Sequence, residues 1–243
     1  MKKLSAYYFI ADAHLGAGTA EAEERLLCFL ETVRSRANVL YVLGDLFDFG
    51  FEYRRVIPKC GVKILAELSR LRRDGTRVVY LPGNHDFRFG TFLCQEVEVP
   101  AGKNLEQEID GLRVWMGHGD ELEQRPVSVL FRSFSRSRTA HWLYSLLHPD
   151  VGVSLADWVA RRSRERQADE KLRERMAEFA KTKLGDGFDV VVLAHSHLPE
   201  LRRYGSGIYL NIGDWLENFT YGVISNRAVA LERFEGPGHG RIV

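Results

Sequence analysis

Three apolar runs in the first third of the chain each end on a short polar motif, and this coupling constrains the fold more tightly than any other feature of the sequence. Tyr7–Ile10 leads into Asp12-Ala13-His14, Val39–Leu43 into Gly44-Asp45-Leu46-Phe47-Asp48, and Val78–Leu81 into Gly83-Asn84-His85-Asp86. The runs have the β-branched and aromatic composition of buried strands. Between them, Glu21–Ser35 carries Leu26, Leu27, Leu30 and Val33 at helical spacing, and Lys59–Arg73 reads as a second helix. A β-α-β-α-β alternation predicts an α/β fold, in which the strands of one sheet are joined by helices that cover it.

Further along, Val97–Met116 reads as a hairpin turning at Asp110-Gly111 and ending on Gly117-His118-Gly119-Asp120. Val190–Ala194 is a strand that ends on His195-Ser196-His197, followed by Ile208–Ile212 and a closing pair, Tyr221–Ser225 and Ala228–Phe234. Between Glu121 and Asp186 the pattern is helical throughout. Val127, Leu130, Phe131 and Phe134 share one helix face; Trp142, Leu143, Leu146 and Leu147 form a second apolar group, Leu155, Trp158 and Val159 a third, and Leu172, Met176 and Phe179 a fourth. The reading is therefore one sheet-based domain, residues 1–120 and 187–243, interrupted by a helical insertion at 121–186 that emerges beside two of the polar motifs.

Composition narrows the setting. The chain has 243 residues, enough for a substantial core, and its formal net charge of +1 gives no basic footprint for nucleic acid. Cys28, Cys60 and Cys94 are widely spaced and read as buried thiols of a reducing compartment, not a disulfide framework. Asp12 ends the first apolar run too early for a signal peptide, and no run approaches the roughly 20 apolar residues of a membrane span. The expected location is the cytoplasm.

The polar motifs contain five of the eight histidines. Asp12 and His14 are two residues apart, so an extended backbone would turn both side chains to one side, and His195 and His197 repeat that spacing. A carboxylate directly after Gly44 can serve two cations at once. Asn84 offers a neutral oxygen and leaves His85 for proton transfer or oxyanion contact. Taken singly, Asp45 and Asp48 read equally well as cap or turn residues, and Gly83-Asn84 as a simple turn. Taken together, the ligands suffice for two divalent ions. Two such ions about 3.5–4 Å apart activate water and clamp phosphate oxygens, which makes the chain a hydrolase of phosphate esters or anhydrides. Oxygen and imidazole donors without thiolate suit manganese, and also accept iron or zinc.

From Asp12 to Asp214 the ordered set resembles the calcineurin-like metallophosphoesterases, whose pattern is D-x-H, G-D-x-x-D, G-N-H-D/E, G-H and G-H-x-H; Ala194 stands where the last motif usually has glycine. The resemblance implies a four-layer αββα sandwich with a helical cap. It also implies that Asp12, His14, Asp45 and His197 hold one metal, and that Asp45, Asn84, His118 and His195 hold the other. His85, oriented by Asp48, would then protonate or stabilise the reacting phosphate.

Within that superfamily the chain is most similar to the UDP-2,3-diacylglucosamine pyrophosphatases. The similarity rests on Gly44–Phe49, Gly83–Phe87, Gly117–Asp120, Asn211-Ile212-Gly213-Asp214-Trp215 and the insertion. One branch carries arginine at the position of His85. The Phe51-Glu52-Tyr53-Arg54 and Ile57-Pro58-Lys59 stretches resemble the branch that keeps histidine. The implied reaction releases UMP and 2,3-diacylglucosamine 1-phosphate. Arg54, Trp158, Arg161 and Arg162 are the candidate substrate contacts, beside Phe131, Phe134 and Trp142, with Arg164 and Arg166 adding charge. Such a substrate implies peripheral contact with the inner membrane. The alternatives are a phosphodiesterase or phosphatase of the same fold acting on a soluble nucleotide or other phosphoester, a nuclease, which the near-neutral charge disfavours, and a metal-free scaffold, which would not keep every ligand.

Overall fold

The protein is described here from a computed structural model covering residues 6–53, 55–57, 59–87, 91–126, 137–149, 151–152, 154–155 and 170–236. Strand β1 (Ala6–Ile10), helix α1 (Ala20–Val33), β2 (Ala37–Val42), α2 (Val62–Arg73) and β3 (Arg77–Tyr80) follow the expected alternation. They are succeeded by α3 (Thr91–Glu96), the hairpin β4 (Asn104–Ile109) and β5 (Leu112–Gly117), α4 (Arg138–Ser145) and α5 (Glu170–Gly185). The chain continues through β6 (Val190–Leu193), β7 (Glu200–Tyr204), β8 (Gly207–Asn211), β9 (Thr220–Ser225) and β10 (Ala228–Arg233).

Two five-stranded sheets result, in the orders β10-β9-β1-β2-β3 and β4-β5-β6-β8-β7. Each contains three mutually parallel strands, β1-β2-β3 ending the first sheet and β5-β6-β8 at the centre of the second. In the first, Tyr8 pairs with Leu40, and Val42 with Tyr80; in the second, Val114 pairs with Val190, and Val190 with Ile208. Antiparallel strands complete them, β9 and β10 on one side of the first sheet and β4 and β7 at the two edges of the second.

Successive side chains leave a strand on opposite faces. Tyr8 and Ile10 therefore meet Leu26, Phe29 and Leu30 of α1 together with Ile64 and Leu68 of α2, while Phe9 between them faces the other sheet. Both faces of these strands are covered, which is why their sequences run apolar without alternation. Phe9, Tyr41, Leu43, Val79 and Leu81 fill the seam against Val114, Met116, Val190, Val192 and Leu210. Burial of each such side chain stabilises the fold by about 1.5–3 kcal/mol.

On the far side of the second sheet, Leu172, Met176 and Ala180 recur every fourth residue along α5 and pack on Trp115, Val191, Leu193 and Tyr209. The layers are thus helix, sheet, sheet, helix, the αββα sandwich expected. Part of the 121–186 segment, α5, is itself the outer layer on the second sheet.

The sequence reading omitted α3 and β7. The Glu200-Leu201-Arg202-Arg203-Tyr204 stretch is a charged edge strand, and edge strands lack the apolar run that announces a central one. Of the cysteines expected to be buried, Cys28 and Cys60 are half-buried and Cys94 is exposed.

Candidate metal centre

Parallel strands in each sheet deliver their following loops to one edge, and there the polar motifs converge. The backbone is not extended at them, as the two-residue spacing had suggested. Asp12, His14, Asp45, His195 and His197 all take left-handed conformations, with φ of 52°, 41°, 51°, 66° and 57°. A residue with a Cβ pays about 1–2 kcal/mol for this region, and it persists only where surrounding bonds fix it. Those bonds are present: Asp12 N–H donates to the Gly44 carbonyl at 3.1 Å, and His14 N–H to the Asp45 carbonyl at 3.0 Å. The ligand pairs therefore converge by kinks tied across neighbouring loops.

One donor group brings together Asp12, His14 and His197: His14 Nε2 lies 3.8 Å and His197 Nε2 3.6 Å from Asp12 Oδ1, and the two imidazole nitrogens are 3.3 Å apart. A second brings together Asp45, His118 and His195. His118 Nε2 lies 3.2 Å from Asp45 Oδ2 and 3.2 Å from Asn84 Oδ1. His14, Asp48 and His85 form a third group that shares His14 with the first. In each of the first two groups a carboxylate has one oxygen clamped by a backbone donor. His195 N–H donates to Asp12 Oδ2, and His85 N–H to Asp45 Oδ1, each at 2.8 Å. The opposite oxygens, Asp12 Oδ1 and Asp45 Oδ2, are buried without a hydrogen bond, as are both ring nitrogens of His195.

Electrostatics follow from this enclosure. Burial disfavours the ionised form of Asp45, but the imidazoles of His118, His85 and His14 outweigh it and hold the carboxyl well below its usual range. Burial also opposes charge on His118, yet Asp45 and Asp12 hold that imidazole well above its usual value. Asp12 is pushed well above the carboxylate range by burial and by Asp45, against the pull of His118. Burial drives His195 well below its normal value, and brings His197 down to about 4 against the pull of Asp214. Metal ligands must be deprotonated, and buried carboxylate oxygens and neutral imidazoles lacking partners are the donors a divalent cation satisfies. The residues present fit such ions.

Around this shell, His118 donates through Nδ1 to the Leu43 carbonyl at 2.7 Å, which leaves Nε2 as the atom that could ligate an ion. His85 Nδ1 lies 2.7 Å from the Asp48 carbonyl oxygen and 3.9 Å from its carboxylate. Asp48 thus meets His85 mainly through its main chain, while its carboxylate stands 3.4 Å from His14 Nδ1. His85 Nε2 is buried without a hydrogen bond. Arg54, Trp158, Arg161 and Arg162 lie outside the described residues, as do Phe131, Phe134, Arg164 and Arg166.

Sequence reasoning passed over several supports. Asn211 Nδ2 donates to Ser196 Oγ at 2.9 Å and to the Ala194 carbonyl at 3.2 Å, propping the loop of His195 and His197. Asn218 Nδ2 donates to the His197 carbonyl at 3.0 Å, and the turn holding Asn218 is gathered by Asp214, which accepts from Leu216 and Glu217 N–H at 2.8 and 2.7 Å. The Asn211–Trp215 stretch had signalled the first; Asn218 had no signal of its own.

Residues 6–199 match the model of the calcineurin-like phosphoesterase family. The chain belongs to the calcineurin-like phosphoesterases. It is accordingly a metal-dependent phosphoester hydrolase, and the donor groups described above are its candidate divalent-metal ligands. Among curated relatives of this phosphoesterase, a UDP-2,3-diacylglucosamine hydrolase of Porphyromonas gingivalis is 29% identical over 95% of this chain and 98% of its own length. One from Ralstonia nicotianae is 30% identical over 86% of this chain and 83% of its own. Among solved structures, an archaeal phosphodiesterase aligns with 93% of this phosphoesterase and 98% of its own chain, at 14% identity and a TM-score of 0.49.

Proposed function

We propose that this phosphoesterase hydrolyses the diphosphate of UDP-2,3-diacylglucosamine to UMP and 2,3-diacylglucosamine 1-phosphate, using two divalent metals, of which manganese suits the donor set. The observation that carries the substrate is the extent of similarity to proteins named for that reaction, at 95% of this chain and 98% of the Porphyromonas gingivalis relative. In this reading Asp12, His14 and His197 hold one ion, Asn84, His118 and His195 the other, and Asp45 is shared.

When bound, the ions supply activated water and neutralise the phosphate oxygens. A water oxygen bonds to phosphorus, the phosphorus–oxygen bond to the departing phosphate breaks, and a proton reaches the departing oxygen. His85 is suited to that last task, because its Nδ1 is occupied by the Asp48 carbonyl and its buried Nε2 carries no hydrogen bond.

Support for an acylated substrate comes from α4, in the part of the segment 121–186 that precedes α5 and is read here as the cap. In α4, Trp142 and Leu143 are 60% and 52% exposed, with Leu146 just beyond it at 64%. The opposite side of the helix is anchored, with the Tyr144 ring tilted against Phe49 and edge-on to Phe51 at ring-centroid distances of 5.0 and 4.6 Å. Phe49 directly follows Asp48, so this apolar face is tethered beside the site. Among the described residues no helix is long and apolar enough to cross a membrane. The proposed working location is the cytoplasmic face of the inner membrane, with Trp142, Leu143 and Leu146 meeting the lipid surface that holds the substrate.

The test is hydrolysis of UDP-2,3-diacylglucosamine in manganese, following UMP by mass spectrometry. Rapid release that a chelator abolishes is the expected result. Absence of UMP while a soluble aryl phosphodiester is cleaved would retain the chemistry and reject the lipid substrate.

A further inference from the structure

Asp86 belongs to none of the three donor groups, yet it makes more contacts with the metal loops than a turn residue needs. Its Oδ2 accepts from the N–H of Asp45 at 2.9 Å and from that of Gly83 at 2.8 Å. Its Oδ1 accepts from the Tyr80 hydroxyl at 2.9 Å, and the hydroxyl oxygen in turn accepts from Leu46 N–H at 3.2 Å. The neighbouring residue returns the bond: His85 N–H donates to Asp45 Oδ1 at 2.8 Å. Asp45 and the His85-Asp86 pair are thereby locked reciprocally, the side chain of each loop holding the main chain of the other. Gly50 N–H closes the same loops by donating to the His85 carbonyl at 2.8 Å.

The lock explains two features. Asp45 holds φ of 51°, which a lone residue with a Cβ would leave. Two charge-assisted bonds in one place, from Asp86 to the amides of Asp45 and Gly83, are strong enough to over-determine it. With the main chain fixed and Oδ1 taken by His85, the carboxylate has one remaining orientation, with Oδ2 turned to His118 Nε2 at 3.2 Å.

We infer that Asp86, backed by Tyr80, is the positioning residue for Asp45, setting the carboxylate that the two metals share. The inference rests on the two-metal reading above. Outer residues that orient a ligand typically change metal affinity or activity by roughly 10–100-fold when removed. Asp86→Ala loses every bond the carboxylate contributes to the lock, Asp86→Asn keeps an oxygen for the two amides without the charge, and Tyr80→Phe removes only the backing.

Manganese titration of the chelator-stripped full chain tests this, with calorimetry for the number and affinity of sites and electron paramagnetic resonance for magnetic coupling between paired ions. Circular dichroism reports folding in parallel. Wild type should take up two coupled ions. Asp86→Ala should weaken uptake by roughly 10–100-fold and replace the coupled signal by that of isolated manganese, with Asp86→Asn intermediate and Tyr80→Phe mildest. A residue that only built the turn would lower the melting temperature without separating the ions. If Asp86→Ala does not fold, Asp86→Asn and Tyr80→Phe decide. Wild-type affinity and a coupled signal in both would overturn the inference. Absence of paired ions in the wild type would instead overturn the two-metal reading, and the inference with it, before any variant is made.

Discussion

Adding one methyl group at Gly83 should dismantle the centre without replacing any of its proposed ligands. A Cβ built there would stand 2.1 Å from Asp45 Oδ1, 2.8 Å from its Cγ and 2.9 Å from its main-chain nitrogen. Ordinary contact begins near 3.4 Å, so the carboxylate oxygen would have to retreat by about 1.3 Å. It has little freedom to do so, since Oδ1 is held by His85 N–H and the main chain by Asp86. Forcing a methyl into packed surroundings costs about 1–3 kcal/mol, affordable for a domain of this size. Metal–ligand distances, in contrast, tolerate only about 0.2 Å, and a misplacement near 1 Å can cost about 100-fold in rate. Gly83→Ala should therefore melt only several degrees below wild type while losing at least about 100-fold in kcat and much of its manganese affinity. Thermal melts, calorimetric titration and UMP release on one preparation make the comparison. Wild-type affinity with kcat within a few-fold would refute the steric reasoning, because it would mean that the Asp45 carboxylate relocates without consequence.

Asp45→Ala and His118→Ala should each abolish hydrolysis while circular dichroism still reports a folded chain; activity retained in either would remove that residue from the metal set. His85→Ala should slow turnover by about 100-fold or more, as expected for loss of a proton donor, yet keep both ions, and loss of an ion measured by elemental analysis would show that His85 is a ligand instead. Stripping the metals should lower the melting temperature: at 100-fold above Kd each bound ion contributes about 2.7 kcal/mol, or roughly 5–10 °C per ion for a chain of this length. A melting curve indifferent to chelator would contradict binding to the folded state.

The succession of the first three strands and two helices and the polar motifs that follow the strands were legible because each rests on a short-range signal. Tyr7–Ile10, Val39–Leu43 and Val78–Leu81 announce buried strands by composition, and the motif after each lands at the sheet edge. The backbone conformation at the ligands was not legible. The spacing of Asp12 and His14 suggested an extended chain, whereas bonds to Gly44 and Asp45, far along the sequence, bend it into the left-handed region. The same limit applies to Asp86, which stood within Gly83–Asp86 with no sign that Tyr80 and Asp45 would be its partners. The exposed face of α4 had a pattern equally suited to a local core, since periodicity identifies an apolar stripe and not what covers it.

The proposed ligands come from both sheets: Asp12, His14, Asp45 and Asn84 follow strands of the first, and His118, His195 and His197 follow strands of the second. Asp12 and His195, joined by a hydrogen bond, are 183 positions apart. An ion bound here is therefore a clamp across the seam, and a chain with only one sheet formed has no place to hold it. Interactions made after the folding barrier slow unfolding and leave the folding rate unchanged. The metals would act as a latch that closes last, lengthening the life of the native state without hastening its arrival. Scarcity of the ion would cost such a protein its persistence as well as its chemistry.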